Sequence, residues 1–265
     1  MQKIEMYCVT NMEISFLNKI PYNLAAVGNG KFSKNYIRCD NKENIYHKEK
    51  NYSELTFHYW FWKNILNSTN SEWIGFCQKR RFWIKSESEG ENINANNLND
   101  HLLTHLPDKI GGYDSLICKS IPVTGAKKSK LLKRGWRNII KNPLILIDKN
   151  KHTISLHFDM HHGYGNLNRA INILSEDDRE DFRTYVKTKN VFNPHIMFIS
   201  KREVIDKWFK SLFPWLERCE KEFGFNELQG YDKTRLYAYL AERYLSFWFK
   251  KYTKYIEQPW VTIEF

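Results

Sequence analysis

Three consecutive cations, Lys79, Arg80 and Arg81, follow the apolar run Trp73-Ile-Gly-Phe-Cys77 and Gln78. A short apolar run of this kind reads as a buried strand, and in open α/β sheets ligands bind beyond the carboxyl ends of strands. Arginine forks at such a place can grip phosphate oxygens bidentately. The plain alternative is a solvated turn. A second constellation is His157, Asp159 and His161, which alternate with period two. Two histidines and a carboxylate form a ligand set for non-haem iron or zinc. On a strand, however, same-face neighbours lie about 6.5–7 Å apart, and residues 157 and 161 about twice that. One strand therefore cannot bring all three onto one ion unless it breaks at His161-His162-Gly163, and a polar pocket wall or a structural role stands beside the metal reading. GxGxxG, GxxxxGK[ST] and GxSxG are all absent, so phosphate loops of those types and a hydrolase elbow are not indicated.

The segment from Lys127 to Lys141 carries seven cations and no acid. Leu132, Trp136, Ile139 and Ile140 could share one helical face with the cations on the other, the pattern of a helix lying on anionic lipid. The alternatives are a surface helix whose apolar face packs on its own core, and a nucleic-acid contact. Gly135 weakens a continuous helix by about 1 kcal/mol. Base stacking would need exposed aromatics among the cations, but Tyr59, Trp62, Trp208, Trp215 and Phe223 recur at helical spacing beside apolar residues and read as core.

These residues must be positioned by a chain of 265 residues with 41 Lys+Arg against 30 Asp+Glu, a net charge of +11. Its 42% hydrophobic and 15% aromatic content excludes a disordered chain. The charge excess suits a polyanion, a phosphorylated small molecule or an anionic membrane. The five cysteines are widely spaced without a CxxC pair, so neither a zinc ribbon nor a disulfide framework is expected. The N-terminus lacks a signal-peptide apolar region, and no run reaches the roughly 20 residues that span a bilayer, so a cytoplasmic protein is expected. Strands are expected at 4–9, 73–77, 116–123, 144–147, 153–158 and 197–199. Helices are expected after a capping box at Asn51–Glu54, with Leu55, Tyr59, Trp62 and Leu66 on one face, after Ser175, and over 204–223 and 234–252. Alternating strands and helices predict an α/β fold on a central sheet, in one domain over 1–265.

Several segments together resemble the DUF4422 family, bacterial glycosyltransferases of capsule, exopolysaccharide and O-antigen synthesis. They are Ile4-Glu-Met-Tyr-Cys-Val-Thr10, Asn44-Ile45, Asn51-Tyr-Ser-Glu-Leu-Thr56, Tyr59-Trp-Phe-Trp-Lys-Asn64 and Trp73–Phe82, then His162 with Asn166-Leu167, Met197-Phe-Ile199 and Leu240-Ala-Glu-Arg243. The family usually shows His-Tyr where this chain has Gln78-Lys79, and Asp-Leu where it has Asn166-Leu167. The resemblance implies a GT-A-like domain with a central mixed sheet flanked by helices and a helical C-terminal part. It also implies a nucleotide-sugar donor, with some relatives linked to galactofuranose transfer.

Most enzymes of that kind place Asp-x-Asp at a strand end, where its metal neutralises a leaving diphosphate. No such motif follows an expected strand here, so no cofactor is expected, and Arg80 and Arg81 would supply that charge instead. Thr10, Asn44, Lys48 and Arg243 join them as expected donor-binding residues, and Glu54, His162 and Asn166 as acceptor or pocket residues. An inverting transfer needs a carboxylate base; the candidates are Asp232, Glu242 and Asp159. The expected protein is a cytoplasmic, membrane-peripheral transferase moving a sugar, UDP-linked in the first instance, to a lipid-linked or growing glycan, with no nucleic-acid partner. The alternative is a non-catalytic basic module binding nucleic acid or an anionic membrane.

Overall fold

The computed structural model describes residues 2–124 and 128–265, so Lys127 lies outside the described residues. The strands in chain order are β1 (Glu5–Thr10), β2 (Asn23–Ala26), β3 (Ile37–Arg38), β4 (Trp73–Gln78), β5 (Arg81–Trp83), β6 (Ser115–Cys118), β7 (Ile121–Pro122), β8 (Val191–Phe192), β9 (Phe198–Lys201), β10 (Tyr255–Gln258) and β11 (Trp260–Thr262). The helices are α1 (Glu49–Tyr52), α2 (Leu55–Asn64), α3 (Leu98–His101), α4 (Lys128–Arg134), α5 (Trp136–Lys141), α6 (Ile154–His162), α7 (Asn166–Asn172), α8 (Glu176–Thr188), α9 (Arg202–Phe223), α10 (Tyr231–Thr234) and α11 (Leu236–Tyr252). Two compact units result. The first comprises Met1–Lys119, His195–Ser211 and Trp248–Phe265, and the second Ser120–Pro194 and Leu212–Phe247.

The first unit holds the expected central mixed sheet, in the order β10-β6-β9-β4-β1-β2-β3, with β5 and β11 attached beside β4. β1 runs parallel to both β2 and β4, while β9 is antiparallel to β4 and β6. From Met6 to Val9 every residue of β1 is buried, because both faces of the sheet are covered, so the strand is a continuous apolar run rather than an alternating one. Against one face, Tyr7, Phe57, Phe61, Phe76 and Phe198 pack ring on ring, with Tyr7 4.9 Å from Phe61 and Phe76 5.1 Å from Phe198. Gly75 sits where strands and side chains crowd: a Cβ there would lie 2.8 Å from Ile199 Cγ1 and collide with Met6 Sδ.

Two sequence expectations fail in this unit. α2 buries Leu55, Thr56, Phe57, His58, Trp60 and Phe61, whereas Tyr59 and Trp62 are only half-buried. Its buried face is thus broader than the expected stripe and turned away from it. Nor does a capping box form. Asn51 lies inside α1, Ser53 takes a positive φ of 52° between the helices, and Glu54 at the start of α2 makes no capping bond. Its carboxylate accepts from Gln78 Nε2 instead.

The second unit is mainly helical, with one two-stranded pairing of β7 and β8. Residues 116–123, expected as one strand, divide into β6 and β7, which belong to different units. Residues 144–147 form a 3-10 turn over Pro143–Leu146. The expected strand at 153–158 is α6, started by Thr153, whose Oγ1 accepts from Leu156 N at 3.3 Å. Its burial does alternate, at 154, 156, 158, 160 and 162. Residues 154, 158 and 162 form one i,i+4 row and 156 and 160 another about 200° away, so a helix buried on two opposite sides reproduces the period of a strand. α8 starts at Ser175 as expected, without a side-chain cap but with Glu176, Asp177 and Asp178 in its first turn, where the helix dipole favours anions. Trp215 anchors the core by donating from Nε1 to the Ala170 carbonyl at 2.9 Å, and Tyr244 Oη donates to buried Asp178 at 2.5 Å.

The lysine-rich segment is two short helices. α4 and α5 meet at Gly135, where a Cβ would stand 2.8 Å from the Leu131 carbonyl. Leu132, Trp136 and Ile140 face outward, whereas Ile139, expected on the same face, turns inward against the cluster of Leu131, Ile145, Leu156 and Met160.

Candidate functional site

In the first unit the parallel pairing brings the carboxyl ends of β1, β2 and β4 side by side, with Thr10 opposite Ala26 and Val9 opposite Gln78. The loops leaving these ends are held in register. Val27 N donates to the Thr10 carbonyl (2.9 Å) and Lys79 N to the Val9 carbonyl (3.0 Å). Thr10, itself buried, closes a turn by donating from Oγ1 to the Met12 carbonyl and accepting from Met12 N. Asn11 is the meeting point: Lys79 Nζ donates to its Oδ1 at 2.7 Å, and Gly30 passes so near that a Cβ would lie 3.2 Å from its carbonyl.

The loop Gly28-Asn29-Gly30 is strapped from outside. Gly28 takes φ 73°, which suits glycine, and Tyr46 Oη donates to its carbonyl at 2.7 Å. Arg38 reaches Asp40, Tyr46 Oη and the Gly30 carbonyl. The result is a strand-end rim where Asn11, the Gly28–Gly30 loop and Lys79 come together, with the lysine as its positive charge.

The three cations that open the sequence reading do not act as one cluster. Lys79 and Arg80 are the two tip residues of a hairpin, since Gln78 pairs directly with Arg81. Lys79 turns to Asn11. Arg80 extends to Glu264 at 4.0 Å and lies 5.8 Å from the Phe265 ring. Arg81 donates to Gln78 Oε1 at 3.0 Å, and its Nε is buried without a hydrogen-bond partner. Among the other expected residues, Asn44 caps its own loop, donating to the Asn41 and Lys42 carbonyls and accepting from Tyr46 N. Lys48 stands 5.7 Å over the Tyr52 ring. Thr10, Asn44, Lys48, Glu54, Arg80 and Arg81 thus fall in the first unit, and Asp159, His162, Asn166, Asp232, Glu242 and Arg243 in the second.

The second unit has a cleft of about 430 Å³ whose lining includes Arg134, Arg137, Asp159, His161, Tyr164 and Asp232. Asp159 stands at the C-terminal part of α6 and accepts from Gly165 N (2.9 Å) and Asn138 Nδ2 (3.1 Å). Burial raises its pKa above the ordinary carboxylate value, making it the stronger proton acceptor while the two bonds hold its direction. Asp232 is ion-paired with Arg134 at 3.0 Å, and its backbone carbonyl accepts from His162 Nδ1 at 3.0 Å. His162 stacks 3.7 Å from Tyr239, and Asn166 Nδ2 donates to its carbonyl.

Below these lies Arg243, 2% exposed, paired with Glu242 and stacked 3.9 Å over Phe192. Its Nη2 donates to His157 Nδ1 at 3.3 Å. That bond requires a neutral imidazole, consistent with burial and then the Arg243 charge lowering the His157 pKa to about 2. His157 and His161 are therefore one helical turn apart, stacked at 4.4 Å, and His161 Nδ1 donates to the His157 carbonyl. This corrects the strand geometry behind the metal reading. Among the described residues no group of three His, Cys, Asp or Glu could hold a metal ion.

Sequence reading missed Asn11, Gly30, Arg38 and Tyr46. The only local signal was the short Gly-Asn-Gly following Ala25-Ala-Val27. Tyr164 and Lys233, also in the cleft lining, carried no signal, since only tertiary folding brings them to Asp159.

The family model described as "Domain of unknown function (DUF4422)" matches residues 5–254. A search of curated proteins returned no match. Among solved structures the chain is similar to WbbM, a bifunctional glycosyltransferase in its apo form, with TM-score 0.66 and 19% identity. The likeness covers 100% of this chain and 46% of that one, so the chain spans about half its length. At this identity the fold is what the two share.

Proposed function

The chain belongs to the DUF4422 family, and from that premise we propose that residues 1–265 serve one activity, the transfer of a sugar from a nucleotide donor to a surface polysaccharide. The observation that carries the reading is the strand-end rim of the first unit, where Asn11, Gly28–Gly30 and Lys79 meet at the carboxyl edge of three parallel strands. Its lysine suits the negative charge of a nucleoside diphosphate, with UDP as the nucleotide and galactofuranose among the sugars to be tried. Of the three cations, Lys79 at this rim supplies positive charge to the leaving diphosphate without an Asp-x-Asp metal.

The cleft of the second unit takes the acceptor glycan. Asp232 and Glu242 are each held by an arginine, which leaves Asp159 as the carboxylate for proton transfer. In the transfer a sugar hydroxyl oxygen bonds to the anomeric carbon, its proton passes to a carboxylate, and the bond from that carbon to the diphosphate oxygen breaks with the electron pair leaving on the diphosphate. Such a displacement inverts the anomeric centre. We place the enzyme in the cytoplasm; among the described residues no helix is long and apolar enough to cross a membrane.

A panel of nucleotide sugars, scored by thermal stabilisation and by donor hydrolysis with and without EDTA, tests the reading. Stabilisation by UDP or a UDP-sugar is expected, together with turnover that Asp159→Asn abolishes while nucleotide binding survives. No response to any nucleotide would defeat the reading. Activity lost to EDTA and restored by Mn²⁺ would defeat its metal-independent part.

A further inference from the structure

The segment 128–151 has two apolar faces, and only one is used. Leu131 and Ile145, with Ile139 beside them, turn inward onto Leu156 and Met160 of α6. This inner set already anchors the segment to its own core. Leu132, Trp136, Ile140, Leu144 and Ile147 turn the other way, exposed by 57%, 51%, 71%, 50% and 79%. They recur every three or four residues, although the backbone passes through two short helices and a 3-10 turn. Water-exposed apolar side chains in such a concentration mark an interaction surface rather than ordinary scatter.

The charges around them identify the partner. Lys128, Lys130, Lys133, Arg134, Arg137, Lys141, Lys149 and Lys151 are all exposed in this segment, against a single acid, Asp148. A protein partner would match this with a dense acidic patch, whereas an anionic bilayer offers a continuous plane of negative headgroups above an apolar layer. The side-chain chemistry has the same two layers: short aliphatics and an indole to enter the acyl boundary, and long lysines that reach up to headgroups.

We propose that this face seats on an anionic lipid surface, with Leu132, Trp136, Ile140, Leu144 and Ile147 inserted at the interface and the surrounding cations on the headgroups. The inference rests on the surface alone and stands or falls apart from sugar transfer. Arg134, Trp136 and Arg137 also line the Asp159 cleft, so the seated face holds that cleft at headgroup level.

Flotation of the full chain with vesicles tests it, using phosphatidylcholine with and without phosphatidylglycerol. The wild type is expected to float with the anionic vesicles, to stay behind with neutral ones, and to lose binding as salt rises. The double variant Ile140→Glu, Leu144→Glu is expected to lower anionic-vesicle partitioning by about tenfold or more. Both positions lie outside the cleft lining, so near-UV circular dichroism and UDP-induced stabilisation are expected to match the wild type, which separates lost docking from lost folding. Lys130→Gln with Lys133→Gln gives a second variant that keeps the apolar face and is expected to weaken binding mainly at low salt. Failure of the wild type to float at low salt overturns the proposal, as does flotation of the Glu variant equal to wild type. So does a concentration-dependent dimer that the Glu variant dissolves, since that assigns the face to a second copy of the chain.

Discussion

His58 gives a measurable link between burial and acid stability. It is 1% exposed on α2, with its ring 4.4 Å from Phe76 and 5.9 Å from both Phe198 and Phe209. Its Nδ1 has no hydrogen-bond partner, and burial lowers its pKa from 6.5 to about 3. The unfolded chain therefore takes a proton near pH 6.5 while the folded chain stays neutral down to about pH 3. Stability on this account is level above pH 7, falls as acid is added through 6.5, and keeps falling towards 3. One proton of linkage is about 1.4 kcal/mol per pH unit, so His58 withdraws about 2 kcal/mol by pH 5.

His58→Phe removes that withdrawal and leaves an aromatic ring among aromatic neighbours. Urea midpoints and slopes measured from pH 7.5 to pH 5 should show the variant at least as stable as wild type at the upper end. At pH 5 it should be ahead by a further margin of about 2 kcal/mol. Parallel pH profiles for the two proteins would refute the reasoning, and so would an NMR titration of His58 near 6.5 in the folded chain. His157 and His162, lowered to about 2 and about 4 chiefly by burial, act in the same direction, so the variant should retain part of the acid lability.

Other perturbations test different links. Gly75→Val should destabilise by about 1–3 kcal/mol, because the new methyls meet Met6 and Ile199 in a filled sheet interior; an unchanged denaturation midpoint would contradict the close approach. Tyr244→Phe removes the donor to the buried Asp178 carboxylate and should cost about 1–3 kcal/mol in urea unfolding, where a loss below a few tenths would count against that bond. Lys79→Met should raise the Kd for UDP by about tenfold, the scale of one charge-assisted contact, and calorimetry showing equal affinity would move the nucleotide away from the strand-end rim.

The sheet was legible in the sequence at β1 and β4, but not at β2, where the buried Leu24-Ala-Ala26 is too short and small a run to announce a strand. Cys8 and Phe76 stand in uninterrupted apolar runs, and β1 and β4 are where those runs predict them. α6 was misread because its two buried rows, Phe158 with His162 and Leu156 with Met160, interleave in sequence as a strand would. The candidate site was legible in part. Asp159, His162, Asp232 and Arg243 were singled out, and the fold brings them into one unit. What local pattern could not carry is pairing at a distance, such as Lys79 with Asn11 across 68 residues or Arg134 with Asp232 across 98. The Arg80–Arg81 pair looked like a single grip from spacing alone, but a two-residue hairpin sends neighbouring side chains to different ends of the turn.

The position of β9 has a consequence for biosynthesis. This strand, Phe198–Lys201, is hydrogen-bonded on one side to β4 and on the other to β6, both of which leave the ribosome long before it. Until residue 201 has emerged, the growing chain carries two open sheet edges bordering a gap that nothing earlier in the sequence fills, and β10 at 255–258 must still cover the far side of β6. Formation of the sheet is thus a late event governed by long-range closure, and the nascent chain depends on holding those edges apart from other strands until β9 and β10 have emerged.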